Sequence, residues 1–278
     1  MTAILPDFII IGAMKAGTTT LYEYLARHPA IGMSREKETD FFIETRNWPR
    51  GLAWYHAQFA PGRARYGEAS PNYTKMQAFP GVPARVAALI PGCKLIFIAR
   101  DPVDRAVSQY RHAVLSGEPV PPPAALPGSH ALQHLIDTSA YAAQLAPWLA
   151  HFPREAFLFL QFESLVATPE RVLSQVAAFL DIADTWPALA TQGAANSADT
   201  LAHLPGWLFR LRQTRAAIWI KQALPRDGVT LLKRLVARRH GRSAPPLTAA
   251  IRAEIGARLA DDSARFRALS GLQAPGGP

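Results

Sequence analysis

The sequence FIIIGAMKAGTTT occupies residues 8–20 and joins a β-branched apolar run to a loop that contains two glycines. A short apolar run that ends in glycine, here Gly12, is typical of a buried strand. The apolar spacing of the next stretch, LYEYLARH at residues 21–28, suits a helix that stops before Pro29. The sequence therefore predicts a strand, a loop and a helix in this order.

Two further apolar runs indicate that this strand has parallel neighbours. The runs are KLIFIA at residues 94–99 and AFLFLQF at residues 156–162. The first is followed by Asp101-Pro102 and the second by Thr168-Pro169, and both pairs place a proline in the first turn of a helix. Apolar strands that alternate with helices predict an α/β fold with a central parallel sheet flanked by helices.

The composition is that of a folded protein. Hydrophobic residues make up 49% and charged residues 18% of the 278 residues, which excludes an intrinsically disordered chain. We expect a single domain over residues 1–278 with a disordered tail at about 271–278. Cys93 is the single cysteine of the sequence, which excludes an intrachain disulfide and a cysteine-rich metal site. Its apolar neighbours predict a buried thiol.

The positive charge is concentrated in one segment. Residues 205–245 hold ten lysines and arginines against a single aspartate, so the rest of the chain is balanced and a nucleic-acid partner is not expected. A basic amphipathic helix is predicted at about 200–240. Its apolar stripe either packs on the main domain or, through residues 205–242, rests on an anionic membrane.

The first residues and the hydropathy of the sequence indicate where in the cell the protein is expected. The first residues lack the pattern of a secretory signal, and no window approaches the roughly 18 consecutive apolar residues of a membrane span. We therefore expect a cytoplasmic protein, with peripheral contact at the inner face of the membrane through residues 205–242.

The loop GAMKAGTT at residues 12–19 has the glycine spacing of a nucleotide-phosphate loop, but Thr18 stands where a Walker A motif has lysine. The lysine of this loop is Lys15. Backbone N–H groups of residues 16–20, at the start of a helix, would still cradle a phosphate or sulfate, and Lys15 would add a positive charge. The loop predicts an anion site without the usual arrangement for ATP and Mg²⁺.

This loop and a second motif resemble the sulfotransferases that use 3′-phosphoadenosine 5′-phosphosulfate (PAPS), particularly the heparan-sulfate-type branch and its bacterial relatives. The resemblance implies a loop like that of P-loop kinases, the product 3′-phosphoadenosine 5′-phosphate (PAP) and no required metal. The implied contacts of the 5′-phosphosulfate are Lys15, Ala16, Gly17, Thr18, Thr19 and Thr20. Arg100-Asp101-Pro102 with Ser108 resembles the motif that holds the 3′-phosphate, and Arg239, Gly241 and Arg242 resemble a loop that closes over the cofactor.

The segment Lys37-Glu38-Thr39-Asp40-Phe41-Phe42 is similar to the family segment whose glutamate is the catalytic base. The resemblance gives that role to Glu38, while Lys15 would stabilise the leaving oxygen. Candidates for contact with the acceptor are Lys37, Asp40, Trp54 and Tyr73, and the branch implies a glycan or glycolipid hydroxyl. Ala69 stands where many relatives place a lysine that contacts the sulfuryl group.

Several alternatives stay open on the sequence alone. Glu38 follows Arg35 and Lys37 closely in the sequence and would also suit a solvated ion pair with one of them. A phosphate-loop nucleotide kinase or NTPase is compatible with the glycine spacing of the loop, but not with the absence of the Walker A lysine. The acceptor would also suit a non-carbohydrate small molecule or a polyketide hydroxyl. A non-enzymatic adaptor would act on a membrane or polyanion through residues 205–242.

Overall fold

The computed structural model of the chain describes residues 3–187 and 244–273. Five strands form one sheet in the order β2-β3-β1-β4-β5, and each hydrogen-bonded pair of neighbours is parallel. The strands are β1 (Phe8–Gly12), β2 (Ile31–Met33), β3 (Arg65–Ala69), β4 (Lys94–Ala99) and β5 (Phe157–Gln161). Because all strands run in one direction, their carboxyl ends meet at one edge of the sheet.

The central strands are buried because their sequences are apolar on both faces. All five residues of β1 and five of the six residues of β4 are buried, as expected for a parallel sheet covered on both sides. The three strands predicted from apolar runs are confirmed, except that the last run ends as a strand at Gln161 and its final residue, Phe162, opens a helix. The apolar pattern does not predict β2, which has three residues, or β3, whose sequence RYGEA carries two charges.

Helices connect and cover the strands. Those in the described part of the chain are α1 (Thr18–Arg27), α2 (Gly51–His56), α3 (Val82–Leu89), α4 (Pro102–Leu115), α5 (His130–Asp137), α6 (Tyr141–Leu149), α7 (Phe162–Ala167), α8 (Pro169–Leu180) and α9 (Ala249–Ser270). The predicted cap of α4 is confirmed, because the Asp101 carboxylate accepts the N–H of Asp104 at 2.9 Å. The predicted α/β fold is therefore confirmed, with α7 as a short helix that the sequence pattern does not predict.

The last described helix belongs to the same core as the sheet. The ring of Phe266 on α9 packs against Phe97 of β4, with centroids 5.8 Å apart. The buried Asp262 carboxylate of α9 accepts the N–H groups of Ala142 and Ala143, at 3.0 and 2.9 Å. It satisfies donors in the first turn of α6 that have no intrahelical partner. These contacts fix α9 against both α6 and the sheet.

Several expectations concern residues that the structure does not describe. The basic segment at 205–242, the helix predicted at about 200–240, Arg239, Gly241, Arg242 and residues 274–278 of the tail all lie outside the described residues. Within residues 3–187 and 244–273, no helix combines the length and the apolarity that a membrane crossing requires. Cys93 is 1% exposed, so the prediction of a buried thiol is confirmed.

Candidate active site

The loop between β1 and α1 presents backbone N–H groups at the carboxyl edge of the sheet. Gly17, with φ of 86°, is the N-cap of α1 and supplies no side-chain cap. The first helical hydrogen bond of the turn joins the Leu21 N–H to the Gly17 carbonyl at 3.1 Å. The N–H groups of Thr18, Thr19 and Thr20 precede this bond, so they lack intrahelical acceptors and form a cradle for an anion.

A phenylalanine brings the loop next to the second predicted anion motif. A Cβ placed on Gly17 would lie 2.8 Å from Cδ2 of Phe162, so the loop packs directly on this ring. The guanidinium carbon of Arg100 lies 4.8 Å from the centroid of the same ring, a cation–π distance. The two motifs, far apart in the sequence, therefore meet across Phe162.

Arg100 is available to a ligand. Its neighbours Asp101 and Asp104 do not pair with it, since Asp101 caps α4 and Asp104 forms an ion pair with Arg252 at 2.7 Å. Over the described ranges, the guanidinium of Arg100 has no hydrogen-bond or ion-pair partner. Ser108 lies partly buried on α4, further along from the same strand end. A planar guanidinium without a partner is suited to bidentate binding of a phosphate.

Lys15 brings a positive charge into the loop and lies partly buried there. Burial lowers the pKa of its ammonium group to about 8, and the negative charge of Glu38 opposes this change. A lysine that is partly removed from water binds an incoming anion more strongly than an exposed one, because less water screens the pair. Lys15 and Glu38 thus act on one another across the loop.

Glu38 lies between two anchored residues. Its carboxylate forms an ion pair with Lys37 at 2.8 Å, and its side chain is 44% exposed. Before it, the Lys37 carbonyl accepts the N–H of Ala69 at 3.3 Å, and after it the Thr39 hydroxyl donates to the buried Glu68. The ion pair is present, and the carboxylate remains open to solvent and to an acceptor.

Glu68 is a fully buried carboxyl group that is not among the site residues predicted from the sequence. It accepts hydrogen bonds from four hydroxyl groups, those of Thr39, Tyr55, Ser70 and Tyr73. Burial raises the pKa of Glu68 to about 7, and the hydroxyl donors oppose this rise. The apolar pattern does not predict its strand, β3, so the sequence carries no local signal that this carboxyl group is buried. The network holds the segment of Glu38 against β3 and the turn that follows it.

The four candidates for acceptor contact differ in their exposure. The Asp40 carboxylate is nearly buried and accepts from Arg46 and from Asn72. Burial raises its pKa, and Arg46 opposes this rise without cancelling it. Tyr73 is fully buried and its hydroxyl donates to Glu68. Trp54 lies beneath the Arg50 guanidinium at 4.2 Å. Lys37 and Trp54 are partly exposed. Asp40 and Tyr73 are buried, and their hydrogen bonds hold the segments of the site together.

A second residue outside the sequence expectations is Arg105, a fully buried guanidinium on α4. It donates to four neutral acceptors, the Ser139 hydroxyl, the Gln109 amide oxygen, the Leu135 carbonyl and the Thr138 hydroxyl, at 2.6 to 3.0 Å. No carboxylate of the described residues pairs with it, and burial lowers its pKa to about 10. Arg105 joins α4 to α5 and leaves a positive charge near Ser108.

The described residues offer no metal centre. In residues 3–187 and 244–273, no group of three or more His, Cys, Asp or Glu side chains is placed to hold a metal ion. The groups that the described residues bring to the site are the backbone N–H groups of the loop, Lys15, Arg100 and the exposed carboxylate of Glu38.

Known proteins resemble this chain over much of its length. Residues 5–197 match the family described as the sulfotransferase domain. The chain is 37% identical over 191 residues to heparan sulfate glucosamine 3-O-sulfotransferase 3B1 of Mus musculus, covering 64% of this chain and 46% of that protein. It is 28% identical over 192 residues to bifunctional heparan sulfate N-deacetylase/N-sulfotransferase 1 of Caenorhabditis elegans, covering 64% of this chain and 22% of that protein.

The chain spans less than half the length of these curated relatives. Among solved structures, a sulfotransferase from Alicyclobacillus acidocaldarius has the same fold, with a TM-score of 0.67 and 22% identity over 98% of both chains. The alignment to this structure covers nearly the whole chain, whereas the match to the family ends at residue 197.

Proposed function

The chain belongs to the sulfotransferase domain family, and on that premise we propose that it transfers a sulfuryl group from PAPS to a hydroxyl group of an acceptor. The observation that carries this proposal is the packing of Gly17 and Arg100 on the same ring, that of Phe162. Two anion sites side by side match a ligand that carries two separate anionic groups. PAPS has such groups in its 5′-phosphosulfate and its 3′-phosphate.

The donor sets fit this ligand. The N–H groups of Thr18, Thr19 and Thr20, with the ammonium group of Lys15, suit the 5′-phosphosulfate. The guanidinium of Arg100 and the Ser108 hydroxyl suit the 3′-phosphate. A nucleoside triphosphate lacks a 3′-phosphate, so it would leave Arg100 unused. The arrangement therefore favours PAPS over ATP.

The chemistry assigned to the residues is an in-line displacement at sulfur. When bound, PAPS supplies the sulfuryl group and a phosphate leaving group. Glu38 takes the proton of the acceptor hydroxyl, whose oxygen forms a bond to sulfur while the bond from sulfur to the 5′-phosphate oxygen breaks. The electron pair of the broken bond stays on that oxygen, which Lys15 and the loop N–H groups stabilise. The products are PAP and a sulfate ester.

We infer that the acceptor is a glycan or glycolipid hydroxyl. The relatives are named for heparan sulfate, an anionic glycan. In this chain Lys37, Arg46 and Arg50 lie close to Glu38 in the sequence and carry exposed surface. Exposed basic side chains in the segment around the candidate base suit a sugar chain with sulfate or carboxylate groups.

Calorimetric titration tests the donor assignment. PAP and ATP with Mg²⁺ are titrated into the wild-type chain and into Arg100→Ala. We expect PAP to bind more tightly than ATP, and the variant to lose at least tenfold in PAP affinity. Adenosine 5′-phosphosulfate, which has no 3′-phosphate, is the matched ligand, and its affinity should change less than twofold. A preference for ATP would contradict the PAPS assignment and support the alternative of a nucleotide kinase.

Transfer of radiolabelled sulfate from PAPS tests the acceptor class. Desulfated heparan sulfate and its oligosaccharides are compared with a panel of small alcohols and polyketide-type hydroxyls. Label in the glycan fraction supports the glycan acceptor. Label in the alcohols alone would contradict it and would leave the sulfuryl transfer itself in place.

A further inference from the structure

Lys75 lies between the loop and the segment that carries Glu38. It follows the short 3-10 turn Pro71–Thr74, which begins two residues after the end of β3. The hydroxyl oxygen of Thr74 lies 2.9 Å from the position that a Cβ on Gly12 would take, so this turn touches the start of the loop. On the other side, the Asn72 amide donates to the Asp40 carboxylate at 3.1 Å. The turn thus bridges the two parts of the site and ends in a lysine.

The ammonium group of Lys75 has no hydrogen-bond or ion-pair partner among residues 3–187 and 244–273, although its side chain is partly buried. Two carboxylates are near enough to influence it, those of Glu38 and Asp40. Both are already engaged, since Glu38 pairs with Lys37 and Asp40 accepts from Arg46. A partly buried cation whose neighbouring anions are used by others is left without a counterion.

The other charges around Lys75 are positive. Arg46 and Arg105 lie close enough to lower its pKa, and burial is the largest cause of a pKa of about 8. Lys75 in turn lowers the pKa of Lys15, so the two ammonium groups are close enough to repel one another. They reach this place from different elements, the loop after β1 and the turn after β3. An anion placed at this point would be attracted by both groups.

We propose that Lys75 binds the transferable sulfuryl group of PAPS together with Lys15, a role that rests on the proposed sulfuryl transfer. The contacts of its turn connect Lys75 to the sulfuryl end of the ligand, because Thr74 lies against Gly12 at the start of the loop and Asn72 donates to Asp40, two residues after Glu38. This is the side where the acceptor would enter. It is therefore assigned to the sulfuryl group and not to the nucleotide.

Comparison of PAPS with PAP separates this role from general binding, since the two ligands differ by the sulfuryl group. Both are titrated calorimetrically, without acceptor, into the wild-type chain, Lys75→Gln and Lys75→Arg. We expect Lys75→Gln to lose at least tenfold in affinity for PAPS and less than twofold in affinity for PAP. Lys75→Arg should keep most of the PAPS affinity. Lys94→Gln is the matched control, because Lys94 is a partly buried lysine at the opposite end of β4, where it donates to the Phe179 carbonyl.

A second measurement follows Lys75 in the wild-type chain itself and needs a variant only to assign its signal. With ¹³C-labelled lysine, the titration of the Lys75 side chain is followed by NMR in the wild-type chain, using Lys75→Arg to identify its signal. PAPS should raise the pKa of Lys75 by more than PAP does.

Equal losses for PAPS and PAP in Lys75→Gln, or no loss for either, would overturn the role of Lys75 and leave the proposed function intact. An unchanged Lys75 titration with PAPS would do the same. Failure of the wild-type chain to bind PAP would instead defeat the proposed function and this inference together.

Discussion

The rings of Phe41 and Tyr55 stack face to face, with centroids 4.1 Å apart and planes inclined by 7°. The stack places the Tyr55 hydroxyl 3.0 Å from the buried carboxyl group of Glu68. Phe41 follows Glu38 by three residues, so the same stack ties the segment of the candidate base to that carboxyl group. Stacking between buried aromatic rings and hydroxyl donation to Glu68 together limit the movement of Glu38.

Replacement of Glu68 by glutamine should remove a pH dependence of stability. The pKa of Glu68 rises from 4.5 to about 7 on folding, so between these values the folded chain holds a proton that the unfolded chain has released. Stability therefore falls as pH rises across this window, by about 3 kcal/mol in total. Urea unfolding from pH 4.5 to 7.5 measures it. The exposed Glu36→Gln is the control and should keep the decline, and a decline that persists in Glu68→Gln would show another group to be responsible.

Gly17→Ala should disrupt the loop through contact with Phe162. The φ of Gly17 is 86°, and its added Cβ would lie 2.8 Å from the ring. Gly62→Ala is a matched control, because its φ is 96° and no atom lies within 4 Å of its Cβ position. Both variants carry the backbone strain of about 1 kcal/mol, whereas Gly17→Ala should also lose at least tenfold in PAP affinity. Equal PAP affinity in the two variants would contradict a close contact at Phe162.

Glu38→Gln should abolish most of the transfer while leaving the nucleotide bound. Loss of a general base lowers the rate by about 10²- to 10⁴-fold, and the side chain is too exposed to matter for folding. Initial rates with PAPS and a glycan acceptor measure the first effect, and PAP titration measures the second. Glu36→Gln should behave as wild type. A Glu38→Gln variant with more than a tenth of the wild-type rate would remove Glu38 from the role of base.

Arg105→Lys should destabilise the chain although the charge is kept. A lysine cannot reach the four acceptors that the guanidinium binds, so at least two buried oxygens lose their donors at about 1–3 kcal/mol each. Chemical unfolding should show a loss of about 3 kcal/mol. Arg265→Lys, on the exposed face of α9, is the matched control and should lose less than 0.5 kcal/mol. Similar stability of the two variants would show that the hydrogen bonds of Arg105 contribute little.

Binding of PAP should weaken as the pH rises above 8. Lys15 has a pKa of about 8, so it is charged below this value and loses its proton above it, and only the charged form attracts the 5′-phosphate. The affinity should fall by about tenfold per pH unit at most, as one proton allows. Lys15→Arg stays charged and should keep its affinity to pH 9.5. Calorimetry at half-unit intervals would contradict this assignment if the two profiles coincide.

The sequence predicts which strands carry the two anion-binding motifs, but not the packing contacts that hold the site together. The strands that lead to the loop at Gly12 and to Arg100 are apolar runs, which the hydropathy pattern predicts. Because parallel strands end at one edge of a sheet, the same pattern predicts that the two motifs lie close together. The contact of Gly17 with Phe162 does not, because it depends on how α7 packs after β5. The apolar run predicts Phe162 as a strand residue, whereas it opens a helix.

Glu68 and Lys75 show a second limit of prediction from the sequence, which is the burial of charged residues. Hydropathy assigns charged residues to the surface, and neither residue has a local pattern that signals burial. Glu68 is buried because hydroxyl groups from three separate segments converge on it. Lys75 is partly buried because its turn lies between two loops. Interactions between distant segments are decided by tertiary packing, which one sequence does not reveal.

The backbone around Glu38 is held by contacts that its own side chain does not make. The Lys37 carbonyl and the Thr39 hydroxyl are tied to β3 and its buried carboxyl group, while the Glu38 carboxylate extends into solvent. Selection can therefore act on residue 38 almost independently of selection for a folded chain. Mutational drift at this position would change what the protein does long before it changed whether the protein folds.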